Sequence, residues 1–472
     1  MVTIQQRSIY DGIVDGISKA KELGSPILIS STTKVKDIDP LLFYMAGNEL
    51  FTGERFFWRE PQHQNTIVAL GVLQVVKSFE KTLKRFQSIE NDWNLLLKSA
   101  IQLNGSGSSK AVGPLLVGGF SFDPTKRKTS LWEDFPEAQF YLPKYVLTIE
   151  DDNTWLTTNV LVSEYDHSDQ VFKAISVEEE ALFSKVNDVI HVSAPSIIKK
   201  HEIQVEEWLK SVETVVSHIN EEKLEKVVLA RELKIEANEA IEVIFVLSKL
   251  LENQSSSYIF AIESGGSTFI GATPERLIKK ENDKILSTCL AGSIKRGCSD
   301  EEDKQLAESL LDDPKNLAEH KFVVDMITTE LSEVCMSITK PSQPTIFKAR
   351  DIQHLYTPIV GEVRKDVNLL SIVERLHPTP ALGGYPQQKA LEEIRMYEQL
   401  DRGWYAGPIG WLDGAGNGEF AVAIRSGLIR QHEASLFAGC GIVAKSEASK
   451  EYEETNIKFK PMLAAIGGKI DG

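Results

Sequence analysis

The chain has 472 residues, 42% hydrophobic and 25% charged, which is enough apolar material to bury a large core and argues against disorder. A formal net charge of −16 and a pI near 5.2 repel nucleic acid and anionic lipid, so neither is an expected partner. An acidic chain can still take an anionic substrate where a metal ion or a local group of Lys and Arg reverses the field. The four cysteines, Cys289, Cys298, Cys335 and Cys440, are too sparse for a disulfide framework and lack C-x-x-C spacing, which fits reduced thiols in the cytoplasm. No basic-then-apolar leader opens the chain and no long apolar run occurs, so neither export nor a membrane span is expected.

From about Ser25 to Val162, β-rich runs alternate with turn signals. SPILIS, RFFWRE, TIVALGVLQVV, GPLLVGGFSF, YVLTIE and TWLTTNVLV predict strands of an antiparallel sheet. Phe79 to Gln102 reads as helix, and LNGSGSSKAVG at 103–113 reads as a loop that fails the G-x-x-x-x-G-K-[ST] spacing. Between Glu164 and His201 the pattern turns helical and then polar around Pro195. That sets an expected division into an amino-terminal portion, 1–200, contributing to a composite fold, and a second region, 201–467. The second region predicts a helix over Val205–Ile219, strands in KVVLARELKI, SYIFAIES and STFIGATPERL, and helices near Glu301–Leu311 and Leu317–Glu333. A strand in TPIVGEV and a meander with a hairpin-like turn at DGAGNG follow, then a final helix from about Ser449 to Ala465. Blocks of meandering strands interrupted by helices favour an α+β arrangement over a doubly wound parallel sheet.

The final helix carries SEASKEYEETNIKFK. Glu451 and Glu454 stand three apart and Lys458 four further on, so all three can project from one face, where two carboxylates can flank a hard cation such as magnesium. The plain alternative is a solvated face with a Glu454–Lys458 pair worth about 0.2–0.5 kcal/mol. Glu319, in NLAEHKFVVDMITTEL, can serve as a third carboxylate, although spacing does not establish proximity, and His320 beside it forms no H-E-x-x-H. Lys226 opens KVVLARELKI, and Glu275 follows the strand STFIG in GATPERL. A desolvated lysine can lose its proton near neutral pH and a sheltered glutamate can keep one, an acid–base pair if the fold sets them opposite. A snorkelling lysine and a turn carboxylate are the plain readings. Arg425 in AVAIRSG and Tyr405 in GWYAG, on neighbouring strands of the meander, can together donate to a carboxylate, unless they serve buried structural pairing. Gly439 and Gly441 in AGCGIV allow close approach of backbone to a ligand, as a bend or bulge also would.

Taken together, KVVLAR, GATPERL, LAGSIKRG, AEHKFVVDMI, IQHL, HPTPALGGYP, GWYAGPIGW, AVAIRSG and AGCGIVAKSEASKEYEETNIKFK resemble the successive motifs of the chorismate-utilising enzymes over roughly 205–467. FFWREP and VGGFSFDP resemble the longer isochorismate-forming members. The resemblance implies an α+β fold in which two stacked antiparallel sheets enclose the active site with helices outside, and makes 201–467 the chorismate-binding catalytic region. It implies Mg²⁺ held by Glu319, Glu451 and Glu454, with either of the last two as the direct ligand. It also implies substrate contacts from Arg425, Tyr405, Lys458, Gly439 and Gly441, with His354 of IQHL near the ring carboxylate.

Lys226 resembles the water-activating lysine of isochorismate- and salicylate-forming members, where anthranilate-forming relatives usually carry glutamine, and Glu275 is expected as its acid partner. Ala291 in CLAGS stands where aminodeoxychorismate-forming relatives place lysine, and Ala381 in HPTPALGG where several lyase-active relatives have threonine. SEAS at 446–449 departs from the S-x-P of many relatives and touches only a helix start. The expected reaction is chorismate to isochorismate by water addition at C2 and loss of the C4 hydroxyl. Menaquinone biosynthesis is the expected destination, with no organic cofactor and no obligatory glutamine amidotransferase subunit. The alternatives are salicylate formation by pyruvate elimination in the same site and a non-catalytic chorismate-binding protein.

Overall fold

Successive residues of a strand face opposite sides of a sheet, so the apolar runs decide how many faces must be covered. In the strand Tyr258–Ser264, Phe260 and Ile262 join one buried cluster while Ile259 and Ala261 join another. Phe269 and Phe437 of the strands Ser267–Thr273 and Glu433–Ile442 lie on the first side, and Ile270, Leu436 and Ala438 on the second. A sheet apolar on both faces needs two partners. The helices Pro40–Ala46, Val243–Asn253 and Ala448–Ala465 bring Phe43, Leu247 and Met462 to the outer face. The inner face meets a second sheet through Phe120, Phe140 and Phe420.

The computed structural model describes residues 2–63, 65–104, 110–186, 194–350 and 352–468. The first sheet runs from Ile197–Glu202 through Lys226–Ala237, Glu433–Ile442, Ser426–Arg430, Ser267–Thr273, Tyr258–Ser264 and Arg55–Arg59 to Asn65–Ser78, antiparallel at each of these pairings. The second runs from Leu115–Phe120 through Pro408–Asp413, Gly418–Val422, Arg276–Glu281 and Lys284–Lys295 to Ile352–Val363. They are continuous through the long pair Asn65–Ser78 and Ala138–Glu150, whose register slips between Val72 and Gln74. One half of Ala138–Glu150 then pairs with Leu115–Phe120 and the other with Asn153–Val162. The expected two stacked sheets are thus one hydrogen-bonded network folded over on itself.

Strands from both sides of residue 200 interleave: Arg55–Arg59 pairs with Tyr258–Ser264, and Leu115–Phe120 with Pro408–Asp413. The helix expected over Phe79–Gln102 is shorter, Lys84–Lys98, because Ile101–Leu103 leaves it to pair in parallel with Ile27–Val35 and packs Ile101 and Leu103 against a third apolar cluster. Helices over Val2–Leu23, Val243–Asn253, Leu369–Leu376 and Gln387–Tyr397 were not anticipated. Residues 105–109 of the glycine-rich loop and 187–193 near the expected division lie outside the described residues.

Candidate active site

Lys226 is the first residue of its strand and is buried, and its Nζ donates to Glu319 Oε1 at 2.6 Å. Glu319 arrives from the early part of the helix Pro314–Ser332. Gly441, on the strand next to Lys226, leaves the room this contact needs: a Cβ there would lie 2.7 Å from Lys226 Cε and 3.2 Å from Glu319 Oε1. Gly439 stands two residues back on the same strand. A Cβ on it would meet the Tyr405 hydroxyl at 3.3 Å, and its carbonyl accepts from Lys458 Nζ at 2.8 Å. Gly441 is therefore dictated by the volume of the facing Lys226, whereas at Gly439 an added Cβ would be a tight fit, its nearest neighbour the Leu229 carbonyl at 3.1 Å.

Around them lies one cavity of about 190 Å³. Its wall contains Glu275, Glu319, His354, Ala381, Tyr405, Arg425, Gly439, Gly441, Glu451, Glu454 and Lys458, with Ala291 also present. Lys226 reaches this wall through its contact with Glu319. Residues separated by more than two hundred positions in the chain are thus brought to one space by the curvature of the first sheet and the final helix. Lys226, Lys315, Arg425 and Lys458 face Glu275, Glu319, Glu451 and Glu454 across this space, so the strong negative excess of the chain is locally cancelled.

Burial drives the Glu275 carboxyl up to about 7, although the charges of Lys226, Arg425 and Lys458 oppose the shift. It is therefore a group able to hold or release a proton near neutrality. His354 moves the other way, to about 3, through burial and then the charges of Arg425 and Lys458. Its neutral ring lies with Nδ1 2.7 Å from Ser293 Oγ, while its buried Nε2 has no partner among the described residues. Burial also keeps the Tyr405 hydroxyl protonated, as a donor.

Arg425 and Tyr405 do not lie within neighbouring strands as expected. Tyr405 sits in the turn before Pro408–Asp413, followed by Ala406 at φ 62, and Arg425 sits between Gly418–Val422 and Ser426–Arg430 at φ 50. Left-handed backbone at a branched or long side chain costs on the order of 1 kcal/mol or more and persists where surrounding structure enforces it. The Arg425 carbonyl is held by Ala272 N at 3.0 Å. This turn aims the guanidinium into the cavity instead of along a sheet face.

Glu319, Glu451 and Glu454 offer only oxygen donors, the set a hard cation such as magnesium takes. The Glu451 carboxyl is pushed up by burial and by the charge of Glu454, a surplus of negative charge that a cation relieves. Glu454 is held below its ordinary range because Lys458, 2.6 Å away, and Arg425 outweigh its burial. With Glu319 turned to Lys226 and Glu454 to Lys458, no group of three acidic, His or Cys side chains among the described residues is gathered into a metal cluster. The donor chemistry fits magnesium, and the lysines occupy two of the three carboxylates.

Sequence reasoning missed the supports behind the wall. Arg402 and Glu398 form a buried pair at 2.6 Å. Arg402 also donates to the carbonyls of Leu382 and Val228, and Glu398 accepts from Ala230 N, so the pair ties the Ala381 loop to the Lys226 strand. Its only sequence signal is an opposite-charge i,i+4 spacing, which surface helices also show. Ser293 and Lys315 were missed because a lone serine and an exposed lysine carry no pattern.

A buried acid, a buried lysine, an arginine and a tyrosine are thus gathered around one cavity of about 190 Å³. The chorismate binding enzyme family matches residues 15–467, and the chain belongs to that family. It is 44% identical over 471 residues to the isochorismate synthase MenF of Bacillus subtilis, covering 99% of this chain and 100% of the relative. It is 33% identical to the salicylate biosynthesis isochorismate synthase of Pseudomonas aeruginosa over 96% of this chain and 93% of that one. The solved structure of MenF, the menaquinone-specific isochorismate synthase from Escherichia coli, shares the fold with a TM-score of 0.77 at 21% identity, over 96% of this chain and 100% of that one.

Proposed function

We propose that the chain is an isochorismate synthase, converting chorismate to isochorismate in this cavity. The observation that carries the reading is Glu275, a carboxyl driven up to about 7, in one space with Lys226, Arg425 and Lys458. Arg425, Tyr405 and Lys458, with backbone at Gly439 and Gly441, hold the enolpyruvyl carboxylate. Neutral His354 turns its unpartnered Nε2 to the ring carboxylate. As the neutral amine, Lys226 takes a proton from a water that bonds to C2; the ring double bonds shift; the C4–O bond breaks, and Glu275 protonates the departing hydroxyl as water. One water enters and one leaves, so no oxidant or organic cofactor is needed. Glu319, Glu451 and Glu454 would hold Mg²⁺, which supplies positive charge against the ring carboxylate.

We read residues 1–200 as completing the sheets around the catalytic region, 201–467. A cytoplasmic location and a product committed to menaquinone belong to the same proposal. Its support is the full-length likeness to the Bacillus subtilis relative and a chain with no described helix long and apolar enough to cross a membrane. The test is the purified chain with chorismate and Mg²⁺, without ammonia, glutamine or a second subunit. Isochorismate supports the proposal, salicylate with pyruvate replaces it by the lyase reading, and binding without turnover leaves a chorismate-binding protein.

A further inference from the structure

The helix that brings Glu319 to the cavity also borders a second space. An apolar groove of about 700 Å³ lies against it, floored by Phe322, Pro386 and Val443 and edged by Lys223, Lys389 and Lys445. Lys315 and Glu319 line both the groove and the reaction cavity, so the two spaces share a wall. Lys223 is neutralised by Glu221 at 2.7 Å, and among the described residues Lys389 Nζ meets only the Lys223 carbonyl, at 3.1 Å. Among the described residues Lys315 and Lys445 form no ion pair through their ammonium groups. The lining sets four lysines against Glu222, Glu225 and Glu319, the last already paired to Lys226. The strong negative excess of a chain of net charge −16 therefore does not extend to this mouth, where three ammonium groups stand without an ion-pair partner among the described residues. Exposed lysines are ordinarily solvated decoration. Lys315 differs by its place: it is exposed to solvent in the first turn of its helix, yet its charge is felt by Glu451 and Glu454.

We propose that this groove is the route by which the dianionic substrate reaches and leaves the cavity, and that Lys315 is a further recognition residue, receiving a substrate carboxylate at the shared wall. The inference rests on the chorismate reading of the site. An apolar floor suits the hydrocarbon ring, and a lysine edge suits its two carboxylates. A charged channel raises the local concentration of an oppositely charged substrate, with an advantage that salt removes.

The experiment measures kcat and kcat/KM for chorismate from low to high ionic strength in the full chain, the Lys315→Gln variant and the Lys445→Glu variant, each with a Mg²⁺ titration. Absence of wild-type turnover sinks the function and not this inference alone. With turnover in hand, Lys315→Gln is expected to lower kcat/KM at low salt by about tenfold, with kcat within about twofold. Lys445→Glu, in the groove and outside the cavity, is expected to lower it in the same direction and to converge with wild type at high salt. Wild-type kcat/KM and salt dependence in Lys445→Glu would overturn the route. An unchanged KM in Lys315→Gln, or a loss that saturating Mg²⁺ fully restores, would overturn the substrate contact and leave Lys315 as a modulator of the carboxylates.

Discussion

Glu275→Gln separates chemistry from folding, because the two respond to the same carboxyl with opposite signs. Burial raises this group to about 7 in the folded chain, against 4.5 unfolded. An acid whose folded pKa is raised penalises the fold as pH climbs: the penalty is absent below pH 4.5, grows between the two values and is complete above pH 7. At about 1.4 kcal/mol per pKa unit the full penalty is about 3 kcal/mol, which glutamine, neutral and nearly isosteric, does not carry. Spread over the unfolding entropy of a chain this long, the variant should melt about 3 °C above wild type at pH 8, with the gain shrinking toward acid pH. Catalysis should move the other way. The protonated fraction of Glu275 falls from about nine-tenths at pH 6 to about one-tenth at pH 8, so the advantage of wild type over the variant in kcat/KM should shrink about tenfold over that span. The variant should lose about 10²–10⁴-fold at every pH, with the alkaline limb gone. The assay is isochorismate formation from pH 5.5 to 8.5 beside calorimetric Tm at the same pH values. A variant with wild-type kcat/KM, or one that melts no higher than wild type at pH 8, would refute the buried-acid argument.

Lys226→Ala should reduce turnover by about 10²–10⁴-fold while chorismate binding, read by calorimetry, persists; near-normal turnover removes the lysine from the mechanism. Glu319→Ala and Glu454→Ala should each raise the Mg²⁺ concentration giving half-maximal rate, Glu451→Ala less if it acts through water, and unchanged titrations in all three dissolve the metal site. Gly441→Ala should cost most of the activity with little change in Tm, since its Cβ would press on Lys226 Cε at 2.7 Å; full activity would show that the lysine shifts freely. Ala381→Thr should raise pyruvate release relative to isochorismate, and an unchanged product ratio at lower total turnover would leave position 381 a packing residue.

The legible parts of this molecule were those written locally. The Pro408–Ile442 meander and the final helix carry their own periodicity, and the face shared by Glu451, Glu454 and Lys458 follows from helix spacing alone. The likeness to the family placed Lys226, Glu275 and His354 in one site before any geometry did. What stayed hidden depends on meetings between distant segments. The helix Gln387–Tyr397 buries only Ala390 and Ile394, too few positions to show a helical period, and Ile101–Leu103 takes strand form only because Ile27–Val35 offers an edge. Arg425 in AVAIRSG reads as β sequence, and only the neighbouring strands reveal the left-handed turn that aims it. The Lys226–Glu319 pair is invisible at a separation of 93 residues.

The interleaving of early and late strands has a consequence for biogenesis. When the ribosome has released Arg55–Arg59 and Leu115–Phe120, the segments that will flank them, Tyr258–Ser264 and Pro408–Asp413, are still unmade. Those strands wait with open hydrogen-bonding edges and aromatic side chains uncovered, the state most prone to misassociation. Closure comes only with the later helix Ala448–Ala465, which also brings Glu451, Glu454 and Lys458. A nascent chain interrupted anywhere before that helix is at once inert and sticky. Cellular yield of this protein should therefore respond to chaperone supply and translation speed more sharply than its finished stability suggests.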